Sequence, residues 1–260
     1  MKRLLTILAI FFCGCLASYA QDIYEYMQFT AGDGTTLNYR LLKPLETAKS
    51  KKFPLVIFMH GLGERGNDNE KQLLIGSQIF LNPATREDYP AYILFPQCPE
   101  TAFWAYKDIP SLATPPKEEQ VMPAPFKAVK ELIDSYLTHP DIDKSRVYIM
   151  GLSMGGMATF DMVARFPDTF AAAIPICGAI DPVRLEGLEG VSFRIFHGDA
   201  DKTVPVECSR SAYKALKKSK CEVEYYEFPG CGHGSWNPAF ARDDFMEWLF
   251  KQKKSRKYLK

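Results

Sequence analysis

The sequence predicts an α/β fold built on a mostly parallel, doubly wound sheet with an N-terminal antiparallel hairpin. Short runs rich in apolar residues, such as 53–59 and 146–150, are typical of strands that are covered on both faces. Segments with helical spacing follow several of these runs, and alternating strands and helices indicate parallel neighbours joined by crossovers. Residues 23–44 instead alternate around Gly32-Asp33-Gly34, which predicts a β-hairpin.

Residues 1–20 have the pattern of a signal peptide. Two basic residues precede an apolar stretch, and Ser18-Tyr19-Ala20 is a small-x-small cleavage site. Acylation at Cys15, as in a lipoprotein, is the less favoured alternative. We therefore expect a secreted or periplasmic protein with a single domain over residues 21–260. No membrane span is expected, because a span needs about 18 unbroken apolar residues and no later run provides them.

The balance of charge argues against nucleic acid as a partner. Cleavage after residue 20 would remove Lys2 and Arg3 from the 32 basic side chains and none of the 31 acidic ones, which leaves a formal charge of −1. A chain so close to neutrality offers no broad positive field to a phosphate backbone.

The cysteines give no sign of a metal or redox site. No C-x-x-C spacing is present, and the number remaining after cleavage is odd, so at least one thiol stays free. Cys208 and Cys221 are expected at opposite ends of one helix, too far apart to bond. Cys177 and Cys231 lie on predicted neighbouring loops, where either a disulfide or two free thiols fit the pattern. The cysteines in question are Cys98, Cys177, Cys208, Cys221 and Cys231.

The remaining elements follow from periodicity and from helix and strand breakers. Strands are expected at 53–59, 91–95, 146–150, 169–176, 191–196 and 222–228, and helices at 125–137, 157–165, 205–218 and 237–250, with a short helical stretch near 182–188. A long proline-rich loop occupies residues 99–121. No insertion is long enough for a large cap domain, so we expect a fairly open cleft.

The segment Gly151-Leu152-Ser153-Met154-Gly155-Gly156 is the strongest functional signal. It lies between a predicted strand and a predicted helix, and strand, G-x-S-x-G and helix in that order indicate a nucleophile elbow. Glycines are needed there because a Cβ on either side would collide with the neighbouring strand and helix. The helix N-terminus favours negative charge that develops beside Ser153. The alternative interpretation is a serine in an ordinary glycine-rich turn.

A serine nucleophile needs a base, and the chain has only four histidines. His233 follows the last predicted strand, and loops at the carboxyl ends of parallel strands meet at the sheet edge where Ser153 is expected. Asp201, after the penultimate strand, is the expected acid partner, with Asp199 as the alternative. The chain order of Ser153, Asp201 and His233 is the order found in α/β-hydrolases.

An oxyanion hole and two cleft walls complete the predicted site. The backbone N–H of Met154, next to the nucleophile, and that of Leu62, in the turn after residues 53–59, are the expected oxyanion donors. His60 is expected to hold that turn in shape rather than to act in the chemistry. Trp104 and Trp236 are candidate walls of a substrate cleft, with ordinary packing as the alternative, because flat rings stack on flat ligands.

These segments resemble α/β-hydrolase-fold serine esterases, most closely secreted bacterial carboxylesterases of the phospholipase/carboxylesterase and feruloyl-esterase-like group. The resemblance rests on residues 60–66, 151–156 and 233–236 together with Asp201. It implies hydrolysis of small acyl or aryl esters, including feruloyl or acetyl esters of polysaccharide, through an acyl-enzyme and without metal or organic cofactor. A serine peptidase with the same triad and a catalytically inactive binding protein are the alternatives. Gly234 stands where such esterases more often have asparagine.

Overall fold

The computed structural model describes residues 23–48, 50–107 and 121–258 of the 260-residue chain. The predicted signal peptide, with Cys15, lies outside the described residues, as do positions 108–120 of the proline-rich loop. Within these ranges no helix combines the length and the apolar character needed to cross a bilayer.

The strands form one eight-stranded mixed sheet in the order β1-β2-β4-β3-β5-β6-β7-β8. The first two strands pair antiparallel, β2 also runs antiparallel to β4, and every later pairing is parallel. The predicted hairpin and the mostly parallel sheet are therefore confirmed. The strands are β1 Glu25–Thr30, β2 Thr36–Leu42, β3 Phe53–Met59, β4 Tyr92–Pro96, β5 Ile142–Leu152, β6 Ala172–Ile176, β7 Glu189–Gly198 and β8 Lys220–Phe228.

Helices cover both faces of the sheet, because consecutive strand residues point to opposite faces and both sets are apolar. One buried cluster joins Ile57, Ile149 and Ile195 to the helices on one face, and a second joins the next residue of each strand, Phe58, Met150 and Phe196, to the helices on the other face. The helices are α1 Pro83–Asp88, α2 Ala124–Leu137, α3 Met154–Arg165, α4 Glu207–Lys218, α5 Trp236–Phe240 and α6 Phe245–Lys251. Short 3₁₀ turns occur at Leu62–Glu64, Lys71–Leu73, Ser77–Phe80, Pro182–Leu185 and Arg256–Tyr258.

Two sequence expectations about the last third of the chain are wrong. The single helix expected at 237–250 is two helices, α5 and α6, and the turn between them is held by Asp244, which accepts a hydrogen bond from Arg242 at 2.9 Å and lies 3.1 Å from Arg194. Cys221 is not at a helix end but in β8, because α4 ends at Lys218. All five cysteines within the described ranges are free thiols.

Candidate active site

Ser153 occupies a sharp turn between the last residue of β5 and the first residue of α3. Its backbone has φ 54° and ψ −118°, a conformation with positive φ that L-residues rarely adopt. The Ser153 N–H donates to the carbonyl of Ile176 in the neighbouring strand at 2.9 Å. Strand, strained turn and helix place the serine side chain at the carboxyl edge of the sheet, where it stays partly exposed.

The glycines around Ser153 allow backbone segments to approach more closely than any side chain would permit. A Cβ added to Gly155 would lie 1.9 Å from the carbonyl oxygen of Met59, and one added to Gly151 would lie 2.5 Å from the same oxygen. Real Cβ atoms do not come this close to backbone atoms. The glycines therefore let the first turn of α3 lie directly against the end of β3, the strand that leads into the predicted oxyanion turn.

Three side chains from distant segments form a continuous hydrogen-bond chain. Ser153 Oγ lies 2.9 Å from His233 Nε2, and His233 Nδ1 lies 2.8 Å from Asp201 Oδ2. Because a carboxylate only accepts, His233 Nδ1–H donates to Asp201, which leaves Nε2 to accept the proton of the serine hydroxyl. This arrangement of hydroxyl, neutral imidazole and carboxylate is the one that nucleophilic catalysis by serine requires.

Asp201 is held as a buried carboxylate. Its Oδ1 accepts the backbone N–H groups of Thr203 at 2.8 Å and Val204 at 3.0 Å. Burial by itself would raise the pKa of Asp201, but the hydrogen bonds from His233 and from these two N–H groups outweigh burial and lower that pKa below 3.8. The alternative acid, Asp199, is exposed and accepts the N–H of Gly230 at 2.6 Å, so it braces the loop before His233 instead.

His197 contacts the triad aspartate, a contact that sequence reasoning missed. Its Nε2 lies 2.9 Å from the carbonyl of Val204 and 3.2 Å from Asp201 Oδ2, and its Nδ1 lies 2.7 Å from Ser209 Oγ. Burial lowers the pKa of His197, partly offset by the hydrogen bond to Val204 and by the charge of Asp201. The available signal was its position, four residues before Asp201 at the end of a strand.

The two predicted oxyanion donors both stand at the first position of a helical turn. Met154 is the first residue of α3, and Leu62 is the first residue of the Leu62–Glu64 turn. N–H groups at such positions have no acceptor within their own helix, so they are available to an anion. A Cβ on Gly61 would lie 2.9 Å from the side chain of Leu152, which shows that this turn packs against the residue before the nucleophile.

His60 fixes the turn that carries Leu62. Its Nδ1–H donates to the carbonyl of Gly61 at 2.6 Å, and the N–H of Cys98, just after β4, donates to its Nε2 at 2.9 Å. Burial lowers the pKa of His60 from 6.5 to about 4, so the ring stays neutral. Arg65 adds a second brace, because its guanidinium donates to the carbonyls of Leu62 at 3.2 Å and Ala102 at 3.0 Å.

The two tryptophans proposed as cleft walls differ. Trp104 is fully buried, and its Nε1–H donates to the carbonyl of His60 at 3.3 Å. Its prediction as an accessible wall is wrong, because the loop after β4 folds inward and places the ring beneath the oxyanion turn. Trp236 is half-buried, and its ring is nearly perpendicular to that of His233, with centroids 5.6 Å apart. Its role as a wall stays a prediction.

One group of three side chains in the described part of the chain has the donor types of a metal site. Ligand atoms of Cys177, Asp201 and His233 lie within 4.8 Å of one another. Burial raises the pKa of the Cys177 thiol to about 12, and a protonated thiol is a poor metal ligand. The other two members already bond to each other at 2.8 Å, so the donor set does not favour a resident ion.

A sequence model of the phospholipase/carboxylesterase family matches residues 43–244, a range that includes Ser153, Asp201, His233 and both predicted oxyanion donors. The chain belongs to this family. Among curated relatives, a probable carboxylesterase from Arabidopsis thaliana, described as SOBER1-like, is 28% identical over 216 residues, covering 76% of this chain and 78% of the relative. Feruloyl esterase B from Thermothelomyces thermophilus is 24% identical, covering 82% of this chain and 63% of that protein.

Solved structures support the same assignment. A thermostable esterase is 35% identical, with a TM-score of 0.81 over 90% of this chain, and this chain spans 64% of that longer chain. Several peptidases are also similar in structure, but at 14–18% identity they show a shared fold alone. The phospholipase/carboxylesterase chain described here is thus an α/β-hydrolase, and its class of activity is that of a serine hydrolase acting on carboxylic esters.

Proposed function

We propose that this protein hydrolyses carboxylic esters through an acyl-enzyme formed on Ser153. The observation that carries the proposal is the hydrogen-bond chain from Ser153 Oγ through His233 to Asp201, at 2.9 and 2.8 Å. His233 Nε2 takes the hydroxyl proton as Oγ attacks the ester carbonyl, and the negative charge of Asp201 stabilises the imidazolium that results.

The tetrahedral intermediate then collapses with the proton supplied by the same imidazolium. Its oxyanion lies between the N–H groups of Leu62 and Met154, each worth roughly 3–4 kcal/mol of barrier in such sites. When the C–O bond to the alcohol breaks, His233 gives its proton to the departing oxygen. Water next attacks the acyl carbonyl with His233 again as the base, and Ser153 regains its proton as the carboxylic acid leaves. Since the steps use only side chains and backbone N–H groups, we expect a chelator to leave the rate unchanged.

We propose small acyl or aryl esters as substrates, among them feruloyl or acetyl esters of polysaccharide. The half-buried Trp236 beside His233 offers an aromatic ring to a flat acyl or aryl group, and Leu62, in the predicted oxyanion turn, is 48% exposed. The similarity to a feruloyl esterase supports the aryl class. The pattern of residues 1–20 supports secretion to the periplasm or beyond.

Hydrolysis of p-nitrophenyl acetate by the wild-type protein and by Ser153→Ala tests the proposal. We expect kcat to fall by about 10³-fold or more in the variant. The control is Ser50→Ala, which changes an exposed serine distant in sequence from Ser153, and its kcat should stay within about two-fold of wild type. Mass spectrometry of acid-quenched wild type should find an acetyl group on the peptide that contains Ser153. Full activity in Ser153→Ala, or an acyl group elsewhere, would contradict the mechanism.

A matched pair of substrates separates esterase from peptidase activity. We expect turnover of methyl ferulate and none of a peptide anilide, because amide hydrolysis must expel a poorer leaving group with the same triad. A higher rate on the anilide would favour the peptidase alternative. Absence of turnover on every ester, with no phosphonylation of Ser153 by a fluorophosphonate, would favour a binding protein.

A further inference from the structure

We infer that His197 is a positioning residue for the triad. It holds the Asp201 carboxylate in place and limits how strongly that carboxylate stabilises the protonated form of His233. The inference rests on the proposed function, because it concerns the same reaction. Its structural basis is a shared acceptor: Asp201 Oδ2 lies 2.8 Å from His233 Nδ1 and 3.2 Å from His197 Nε2. The sheet brings the two histidines together, since one ends β7 and the other follows β8.

The hydrogen-bond partners fix which nitrogen of His197 carries the proton. The carbonyl of Val204, 2.9 Å from Nε2, can only accept, so Nε2 bears the hydrogen. Nδ1 is then the acceptor for the hydroxyl of Ser209 in α4, at 2.7 Å. The Nε2–H therefore donates to the carbonyl of Val204, and Asp201 Oδ2, 3.2 Å from the same nitrogen, is close enough to attract it.

Four N–H groups surround the Asp201 carboxylate, and two of them belong to histidines. Oδ1 accepts the backbone N–H groups of Thr203 and Val204, which belong to the same turn as Asp201. Oδ2 accepts the Nδ1–H of His233 at 2.8 Å, and Nε2 of His197 lies 3.2 Å from the same oxygen. His197 is fully buried and held at both nitrogens, so it is the fixed donor of this pair, whereas the ring of His233 is 24% exposed.

An oxygen that accepts two hydrogen bonds gives less electron density to each. Without the His197 N–H, Oδ2 would interact with His233 alone and would favour its imidazolium more strongly. The base would then take up a proton at a higher pH, and the acid limb of the kcat/KM profile would move upward. Loss of the donor would also leave the carboxylate freer to rotate, which lowers kcat.

The groups around His197 keep a constant charge through the assay range. Glu227 in β8 is bound by Arg210 at 2.6 Å, and that hydrogen bond is the main reason for its pKa of about 2. Burial raises the pKa of the thiols near Asp201, so they stay protonated; these are Cys177, Cys208 and Cys231. Burial lowers the pKa of His197 itself, which favours its neutral form.

Two variants separate the positioning role from simple packing. His197→Gln keeps an amide N–H near the former Nε2, whereas His197→Asn keeps an acceptor near the former Nδ1 and loses the donor to Asp201. We expect kcat/KM of His197→Asn to fall about ten-fold and the midpoint of its acid limb to rise by about 0.5–1 pH unit, since one pH unit corresponds to a ten-fold change in proton affinity. His197→Gln should stay within about two-fold and 0.2 pH unit, as should the exposed-site control His139→Gln.

Circular dichroism and thermal melts check that each variant folds. A midpoint equal to that of wild type in a folded His197→Asn would overturn the inference, even if its rate is lower. If His197→Asn does not fold, ¹⁵N NMR of the histidine rings in full-length Ser153→Ala decides instead. We expect His197 to be neutral with its proton on Nε2 from pH 6 to 8; a proton on Nδ1, or on both nitrogens, would overturn the inference. A wild type without esterase activity would reject the proposed function and leave the NMR result standing.

Discussion

Asp201 lies 2.8 Å from His233, whereas Asp199, only two residues earlier, is exposed and bonds the backbone of Gly230. Proximity in sequence therefore does not make the two carboxylates interchangeable. Asp201→Asn would present an amide that can donate to Nδ1, which favours the wrong tautomer of His233, so we expect kcat to fall on the order of 10³–10⁴-fold. Asp199→Asn should stay within about three-fold. Steady-state kinetics on p-nitrophenyl acetate measure both, and similar losses in the two variants would contradict the assignment.

Gly155 should tolerate no side chain. In a helix alanine is ordinarily preferred to glycine by about 1 kcal/mol, yet a Cβ at Gly155 would lie 1.9 Å from the carbonyl of Met59. We expect Gly155→Ala to lower the free energy of unfolding by at least about 2 kcal/mol and to abolish most activity. At Gly63 nothing lies within 4 Å of an added Cβ, so Gly63→Ala should change stability by less than about 0.5 kcal/mol. Urea unfolding of both variants tests the contrast.

The burial of His60 should make the fold sensitive to acid. Its pKa is about 4 in the folded protein and near 6.5 in the unfolded chain, so between these values the unfolded state binds a proton that the folded state does not. Stability is therefore highest above pH 6.5 and falls, by up to about 3 kcal/mol, as the pH drops to 4.

His60→Gln should reduce this loss, since glutamine can also donate and accept but does not titrate. Urea midpoints at pH 7 and pH 4.5 give the comparison for both proteins. His197 contributes in the same direction, so some slope should remain in the variant. An undiminished slope would show that His60 is not responsible.

The two tryptophans near the site should respond differently to truncation. Trp104 is fully buried beneath the oxyanion turn, so Trp104→Ala should cost about 3–5 kcal/mol of stability. Trp236 is half-buried beside His233, so Trp236→Ala should raise KM for methyl ferulate more than for p-nitrophenyl acetate. Equal changes in KM for the two esters would argue that Trp236 only packs against the base.

Acidic conditions should suppress activity through the base itself. We expect kcat/KM on p-nitrophenyl acetate to decline as the pH falls through about 6–7, the range in which imidazole side chains gain a proton. A protonated Nε2 could not accept the hydroxyl proton of Ser153. A pH–rate profile from 5 to 8 measures this, and a flat profile would count against His233 as the base.

The sequence predicted those features that local patterns encode. Apolar runs such as 53–59 identify central strands, and the elbow at Ser153 with acid and base after later strands predicts which edge of the sheet holds the site. The errors about the site arise where distant segments meet. Trp104 is buried because the loop after β4 folds under the His60 turn, and no pattern near Trp104 indicates that contact. The contact between His197 and Asp201 likewise depends on the side-chain directions at the end of β7.

The backbone of Ser153, at φ 54°, has a consequence for attempts to make this enzyme more durable. Glycine would adopt that angle without steric strain, whereas serine holds it at a penalty of about 1–3 kcal/mol, which exceeds the roughly 0.5–1 kcal/mol of extra chain entropy that glycine loses on folding. Selection for heat resistance alone would therefore favour the Ser153→Gly variant, which should melt at a higher temperature but lose most of its hydrolytic activity. Directed evolution of this fold must screen for turnover in every round, because the residue with the strained backbone is the one that attacks the substrate.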